Sequence, residues 1–189
     1  LLYEQLDTLK DDDVLVLAGS IPSGMPQSIY RDIMSRLQSK RIKIAVDATK
    51  DLLMNVLAYH PFVIKPNNHE LSEIFDIMID SKEKAVVYAK ELQKKGAQNV
   101  IVSMAGEGAV FVGSDGSVFT SEAPHGVVKN SVGAGDSMVA GFLAGYLAKG
   151  DYAEAFKMGL CTGSASAFSD QLATREEVEQ VRRSHIFDF

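Results

Sequence analysis

A glycine-rich turn with an acidic residue is the segment of the sequence best suited to chemistry. Gly133, Ala134 and Gly135 precede Asp136, and an apolar stretch that predicts a helix follows. Free N–H groups in the first turn of a helix bind anions, and the helix dipole adds positive charge there. A carboxylate at this point could accept the proton of a hydroxyl that attacks a phosphoryl group. The alternative is a tight connection between a strand and a helix, in which the only role of Asp136 is a favourable interaction of its charge with the helix dipole.

The turn matches neither of two common nucleotide motifs. No Gly-Lys-Ser/Thr follows, as a Walker motif requires. The third glycine of a dinucleotide-binding fingerprint is also absent from its expected spacing. A short Gly-x-Gly-Asp motif on its own therefore leaves the two interpretations about equally supported.

Two polar residues three positions apart form a candidate metal site. Asn67 and Glu70 fall on one helical turn, so both can face hydrated Mg²⁺, which uses few protein ligands. The alternative is an N-cap with an acidic residue at the third position. Asp47 ends a predicted strand, where it is either a second metal carboxylate or a turn former. Lys65 could reach a phosphate, or it could be a solvated lysine at a strand end.

Further small residues occur where ligands could approach the backbone. Ser103, Gly106 and Gly108 follow a predicted strand and suit ATP phosphates or ribose, although a plain turn explains the glycines equally well. The residues 162–165, including Ser164, leave room for an adenine or allow a tight contact between helices. Cys161 is expected to be a small buried residue, and His69 is expected to be exposed.

These residues need a scaffold of alternating strands and helices. Apolar runs predict strands, and helical spacing and capping residues predict helices. The strands are Val14 to Ala18, with both faces buried, then Ile42 to Val46, Phe62 to Lys65 and Asn99 to Ser103, followed by a hairpin of Ala109 to Val112 and Val118 to Ser121. The first helix has Pro26 in its first turn, and others start at Asn67 or Asn68 and at Ser81. The last three cover Gly133 to Lys149, Tyr152 to about Phe168, and Arg175 to Arg183. The pattern predicts an α/β fold, a parallel sheet with helices on both faces.

The composition narrows the classes of partner. The 189 residues suggest one domain, residues 1–189, and the net charge of −6 argues against nucleic acid and anionic membrane surfaces. The apolar stretch near 138–148 is too short to span a membrane. One cysteine and no visible signal peptide favour the cytoplasm.

Four segments together resemble the ribokinase-like (PfkB-type) carbohydrate kinases. Asn130 to Phe142 is similar to the family's C-terminal signature, and Lys65 to Glu70 to its Asn-x-x-Glu motif. Ser103 to Ala109 is similar to its nucleotide-phosphate loop, and Gly19 to Pro22 to its Gly-Ser-x-Pro loop on the substrate side. The four segments occur in the family's order, so jointly they are more specific than any one alone.

The resemblance implies a three-layer α/β/α fold and a role for each matched residue. Asp136 would be the catalytic base, and the amides of Gly133, Ala134 and Gly135 would stabilise the transferring phosphoryl group. Asn67, Glu70 and Asp47 would hold Mg²⁺, and Gly19 and Ser20 would contact the substrate with Asp136. The implied ATP-binding residues are Ser103, Met104, Ala105, Gly106, Glu107, Gly108, Lys65 and Ser164.

The implied reaction is transfer of a phosphoryl group from ATP to a small sugar phosphate. The amino-acid sequences of segments 16–26, 59–67 and 171–178 are most like those of family members that convert D-fructose 1-phosphate to D-fructose 1,6-bisphosphate. Alternatives are tagatose 6-phosphate or another acceptor, or a Mg-ATP-binding fragment without activity. The family's N-terminal half and β-lid have no counterpart here, which predicts uncovered apolar faces that aggregate or form a homodimer.

Overall fold

The computed structural model describes residues 1–189 and contains one six-stranded mixed sheet. The strands, in chain order and in the same spatial order, are β1 Val14–Ala18, β2 Lys43–Asp47, β3 Val63–Ile64, β4 Asn99–Ser103, β5 Ala109–Val112 and β6 Val118–Ser121. The first four strands pair in parallel, whereas β5 and β6 are antiparallel. The predicted parallel sheet is therefore correct for β1–β4, and the predicted hairpin accounts for the antiparallel end.

Eight helices accompany the sheet. They are α1 Leu2–Asp7, α2 Ile29–Leu37, α3 Lys50–Met54, α4 Asn68–Phe75, α5 Lys82–Lys94, α6 Ala134–Lys149, α7 Tyr152–Phe168 and α8 Arg175–Ser184. Six match the sequence prediction to within about three residues, and α1 and α3 were not predicted. Each of these two short helices buries a single residue, Leu6 or Leu53, so neither shows a helical repeat. None of the helices combines the length and apolar character that crossing a bilayer requires.

Alternating residues of each strand pack on opposite faces of the sheet, as a period of two requires. One face carries Ile44, Val46 and Val102, together with the buried faces of α1 to α5. The other face carries Ala45, Ile101 and Phe111, which pack against α6 and α7. Because β1 to β4 lie in sequential order and their connections cross the same face, the other face is covered by α6 and α7, together with the C-terminal Phe187 and Phe189. The resulting three layers confirm the predicted fold class.

The prediction that β1 is buried on both faces is wrong. Leu17 is buried against the α2 layer, but Val16 on the opposite face is 46% exposed. The strand lies at the edge of the sheet, and an open groove separates it from Val139 and Ala140 of α6. A run of five apolar residues cannot reveal this, because burial of each face depends on the layers that pack on it.

Helices α6 and α7 are in close contact through glycines. A Cβ on Gly141 would lie 2.5 Å from Thr162 Oγ1, and one on Gly159 would lie 2.9 Å from the Met138 carbonyl oxygen. A Cβ on Gly145 would lie 2.9 Å from the Ala155 Cα. This close approach fixes α6, and with it Asp136, relative to the rest of the chain. Cys161 of α7 is fully buried, as predicted.

Candidate active site

The candidate active site is formed where α6 begins, at the carboxyl end of the parallel strands. Gly133 caps α6 with a left-handed backbone (φ +79°), a conformation that glycine adopts without strain. A Cβ at this position would also lie 2.8 Å from Leu172 Cδ2. The cap orients the first turn so that the Asp136 side chain is exposed to solvent. Asp136 makes no hydrogen bond or ion pair within the chain, so its carboxylate is free to accept a proton.

The first turn of α6 offers free backbone donors. The N–H groups of Gly133, Gly135 and Asp136 have no acceptor in the chain. The N–H of Ala134 donates to the Ser131 carbonyl oxygen at 3.2 Å, so it is already occupied, contrary to the predicted set of three amides. Two of the predicted donors, together with that of Asp136, therefore remain for an anion, at the positive end of a 16-residue helix.

Asp47 and Lys65 form a buried ion pair beside this turn. Their side chains are 17% and 7% exposed, and Lys65 Nζ lies 3.2 Å from Asp47 Oδ2. The alternative of a solvated lysine is therefore wrong, because Lys65 follows β3 and meets the last residue of the neighbouring β2. Burial raises the pKa of the Asp47 carboxyl, the Lys65 ammonium opposes the rise, and the negative charge of Asp136 adds to it.

The ion pair touches the glycine-rich turn directly. A Cβ on Gly135 would lie 3.2 Å from Lys65 Nζ and 3.9 Å from Asp47 Oδ2. Glycine at 135 thus lets an ammonium approach the free amides of α6. Four residues that the sequence singled out separately meet here: Asp47, Lys65, Gly135 and Asp136. The arrangement can attract a phosphoryl group and place a carboxylate next to it.

Asn67 and Glu70 form a complete capping box at the start of α4. Asn67 Oδ1 accepts from the Glu70 N–H, and Glu70 Oε2 accepts from the Asn67 N–H, both at 2.8 Å. The capping interpretation is confirmed, and it leaves the metal interpretation open because Glu70 Oε1 has no partner. No three His, Cys, Asp or Glu side chains lie close enough to hold a metal ion by themselves. This donor set fits a Mg²⁺ that phosphates and water hold, with few protein ligands.

The loop after β4 lines a cavity of about 360 Å³. Ser103, Ala105, Gly108 and Ser164 contribute to the wall of this cavity, the candidate nucleotide cavity. Its remaining wall comes from both candidate motifs and from their neighbours: Asn67, Asn68, His69, Val128, Ser131, Ala134, Gly135, Met138, Gly163 and Ala167. The cavity therefore connects the loop, the capping box and the start of α6.

Not all the predicted nucleotide residues belong to this wall. Met104 is buried in the core, Gly106 lines an adjacent cavity that Ser164 shares, and Glu107 faces the C-terminal end of α4. His69 is exposed, as expected, and lies at the rim. For residues 162–165 both interpretations hold in part. Gly163 and Ser164 line the cavity, whereas a Cβ on Gly163 would lie 3.0 Å from the Ala134 carbonyl oxygen.

Gly19 shares a second cavity with Asp136. It lines a groove of about 300 Å³ with Asp47, Asp136 and residues of β1 and α6. Ser20 is exposed and lies outside the wall of this groove. The candidate nucleotide cavity and this groove, the candidate acceptor site, are thus separate, and the start of α6 contributes to both.

Sequence reasoning missed two groups of residues. Ser131 and Val128 line the candidate nucleotide cavity from a segment without regular structure, where no periodicity can place them. Tyr30 of α2 donates its hydroxyl to the carbonyl oxygens of Ala18 and Gly19, at 2.6 and 3.1 Å. The signal for Tyr30 was a polar atom on the apolar face of a predicted helix, which needs a partner when buried.

A match to a family model defines the class of protein that this fold and site belong to. Residues 1–177 match the model of the pfkB family carbohydrate kinases, and the chain belongs to that family. A 1-phosphofructokinase of Bacillus subtilis is 44% identical over 178 residues, which cover 94% of this chain and 58% of that relative. The chain therefore spans about three fifths of the length of this relative.

Two further comparisons bear on the substrate and on the fold. A D-tagatose-1-phosphate kinase of Bacillus licheniformis is 30% identical, covering 88% of this chain and 55% of that relative. The tagatose enzyme is thus named for the 1-phosphate, where the sequence alternative was the 6-phosphate. Phosphofructokinase-2 of Escherichia coli in complex with fructose-6-phosphate is 27% identical and superposes with a TM-score of 0.86, covering 96% of this chain and 59% of the other.

Proposed function

We propose that this chain is the nucleotide-binding and catalytic portion of a kinase that transfers the γ-phosphoryl group of ATP to D-fructose 1-phosphate. The observation that carries the proposal is the first turn of α6, where the exposed Asp136 lies among free amides and beside the Asp47–Lys65 pair. Family membership and the 44% identity to a 1-phosphofructokinase support the reaction and the acceptor. The products are ADP and D-fructose 1,6-bisphosphate.

Asp136 acts as the general base in this proposal. Its carboxylate takes the proton of the acceptor's 6-hydroxyl while that oxygen attacks the γ-phosphorus, and the bond from phosphorus to the bridging oxygen of ADP breaks. The acceptor occupies the groove with Gly19, and ATP occupies the nucleotide cavity. Gly135 lines the cavity and the adjacent Asp136 lines the groove, so the two substrates meet at the start of α6.

The neighbouring groups stabilise the charge of the transferring phosphoryl oxygens. The N–H groups of Gly133 and Gly135 donate hydrogen bonds from fixed positions, so little reorganisation is required. Lys65 lies close enough to Gly135 to add a positive charge. Asn67, Glu70 and Asp47 would hold Mg²⁺, which supplies charge neutralisation and alignment of the ATP phosphates.

A different acceptor is the second candidate, and the similarity to a D-tagatose-1-phosphate kinase favours it. Tagatose and fructose 1-phosphates present the same kind of terminal hydroxyl, so the same base and amides would serve both. A third candidate is a unit that binds Mg-ATP without turnover. The cavity beside the free amides of α6 would be sufficient for this role.

The test is ADP release from Mg-ATP with several acceptors offered in parallel. These are fructose 1-phosphate, tagatose 1-phosphate, tagatose 6-phosphate, fructose 6-phosphate and ribose. Asp136→Asn should lower the turnover number about 10³-fold, because general-base catalysis contributes about that much, and should leave the thermal shift on adding Mg-ATP unchanged. Asp188→Asn is the matched control, since this carboxylate is also exposed and makes no hydrogen bond.

Each outcome selects one candidate. Turnover with fructose 1-phosphate that Asp136→Asn lowers about 10³-fold supports the proposal, and turnover restricted to tagatose 1-phosphate supports the second candidate. Equal turnover in Asp136→Asn and the wild type would refute the role of Asp136. If no acceptor gives turnover but Mg-ATP causes a thermal shift, the third candidate, a unit that binds Mg-ATP without turnover, is supported.

A further inference from the structure

The loop that begins at Gly19 is attached to the rest of the chain mainly at its first residue. Gly19 has a left-handed backbone (φ +81°), and its open side has no atom within 4 Å of the position a Cβ would take. Most side chains of the segment from Ser20 to Gln27 are exposed, and the main exception is Ile21, which packs on the core. Gly19 thus decides the direction in which this exposed segment leaves the sheet.

Both peptide groups of Gly19 are held by hydrogen bonds. Its N–H donates to the Asp47 carbonyl oxygen at 3.1 Å, and its carbonyl oxygen accepts from the Tyr30 hydroxyl at 3.1 Å. The same hydroxyl donates to the Ala18 carbonyl oxygen at 2.6 Å. No other side chain hydrogen-bonds to the backbone between Ala18 and Gln27.

The Tyr30 ring is fixed before its hydroxyl reaches the loop. The residue is 9% exposed, and its ring packs in the core with the other apolar residues of α2. A buried phenol of this kind has few accessible rotamers, so its hydroxyl is a preorganised donor. The desolvation that accompanies its burial, together with the nearby Asp47 carboxylate, raises the Tyr30 pKa, so the hydroxyl keeps its proton at neutral pH.

We propose that Tyr30 is a positioning residue for the acceptor: its hydroxyl sets the place of Gly19 in the groove that contains Asp136. The inference rests on the proposed function, because the groove is the acceptor site only if the chain is a kinase. Tyr30 touches neither substrate in this scheme. It acts through the Ala18 and Gly19 carbonyl groups. Its loss should therefore change the affinity for the acceptor and not the binding of ATP.

The test is Tyr30→Phe, which removes the hydroxyl and keeps the ring. Tyr88→Phe is the matched control, because the Tyr88 ring packs on Phe75 and its hydroxyl makes no hydrogen bond. The first readout is exchange of the Gly19 amide, measured by NMR. Its rate should rise about fivefold in Tyr30→Phe, the size expected for loss of one neutral hydrogen bond, while the Val102 amide in β4 exchanges as in the wild type.

The second readout is steady-state kinetics with fructose 1-phosphate. The KM for the sugar phosphate should rise about fivefold, with the KM for ATP unchanged. A purely structural role would instead lower the melting temperature and the active fraction, and leave both KM values and the Gly19 exchange unchanged. That result would overturn the inference.

The two proposals can fail separately. If the wild-type chain shows no turnover with any acceptor, the proposed function fails and the role of Tyr30 toward the acceptor fails with it, while the amide exchange still decides whether the Tyr30 hydroxyl positions Gly19. Unchanged Gly19 exchange in Tyr30→Phe refutes the inference whether or not the chain is active.

Discussion

Breaking the ion pair between Asp47 and Lys65 should cost more stability than removing both of its charges. At a separation of 3.2 Å the attraction is about 5 kcal/mol for an effective dielectric constant of about 20. Burial of each charge costs several kcal/mol, which offsets most of this attraction. The raised pKa of Asp47 agrees with this balance, because burial raises the pKa more than the Lys65 ammonium lowers it. Loss of one partner leaves the other charge buried and unpaired.

The variants are Asp47→Asn, Lys65→Met and the double variant. Each single change should lower the free energy of unfolding by about 3 kcal/mol, the lower end of values for breaking buried pairs. The double variant should lose less than either single variant, which corresponds to a coupling energy of about 3 kcal/mol or more. Urea denaturation monitored by circular dichroism provides these values, provided the m-value is unchanged.

The pH dependence gives the same prediction a second readout. A carboxyl whose pKa is higher in the folded state binds its proton more tightly there. Its contribution to the free energy of unfolding is therefore fully present below the unfolded pKa and is lost as the pH rises through the folded pKa. Lys65→Met removes the group that lowers the Asp47 pKa, which therefore rises further. The destabilisation by Lys65→Met should accordingly be larger at pH 8 than at pH 5.

A matched pair on the surface provides the control. Lys129 and Asp170 are 3.1 Å apart but 51% and 86% exposed, so the same cycle there should give no resolvable coupling. Additive single changes at Asp47 and Lys65, or equal destabilisation by Lys65→Met at the two pH values, would refute the reasoning. Either result would mean that water screens the pair.

Three further predictions concern packing, capping and the thiol. Gly141→Ala should destabilise by about 2 kcal/mol in urea titrations, because its Cβ would lie 2.5 Å from Thr162 Oγ1, whereas Gly24→Ala, with nothing within 4 Å, should change little. Asn67→Ala and Thr174→Ala each remove a capping box and should each cost about 1 kcal/mol. Of these two, only Asn67→Ala should also reduce the thermal shift with Mg-ATP; equal shifts in both variants would remove Asn67 from the metal site. Burial raises the pKa of the Cys161 thiol to about 12, so a disulfide reagent at pH 8 should label it only in denaturant, and rapid labelling of the folded chain would contradict its burial.

Local signals predicted the elements well. The repeat of Ala85, Ala89 and Leu92 identified α5, and Ser81 accepts from the Lys84 N–H as its cap. Asn67 likewise caps α4. These features depend on residues within a few positions of one another, which a sequence displays directly.

Features that depend on distant segments were not predictable in the same way. The partner of Lys65 lies on the neighbouring strand, and the exposure of Val16 depends on what packs against the edge of the sheet. The occupied Ala134 amide reflects the conformation of the irregular segment before α6. The motifs therefore indicated which residues belong to the site, and the structure supplied the contacts among them.

The sequential strand order also determines when the site can form during synthesis. The strands β1 to β4 and the helices of one layer are complete in the first 103 residues, so that side of the core can assemble as the chain emerges. Phe111 and the other apolar residues of the opposite face stay exposed to solvent until α6 leaves the ribosome. Asp47 and Lys65 likewise remain in contact with water until Gly135 packs beside them. We expect the nascent chain to expose an aggregation-prone apolar surface during this interval, and chaperones bind surfaces of this kind.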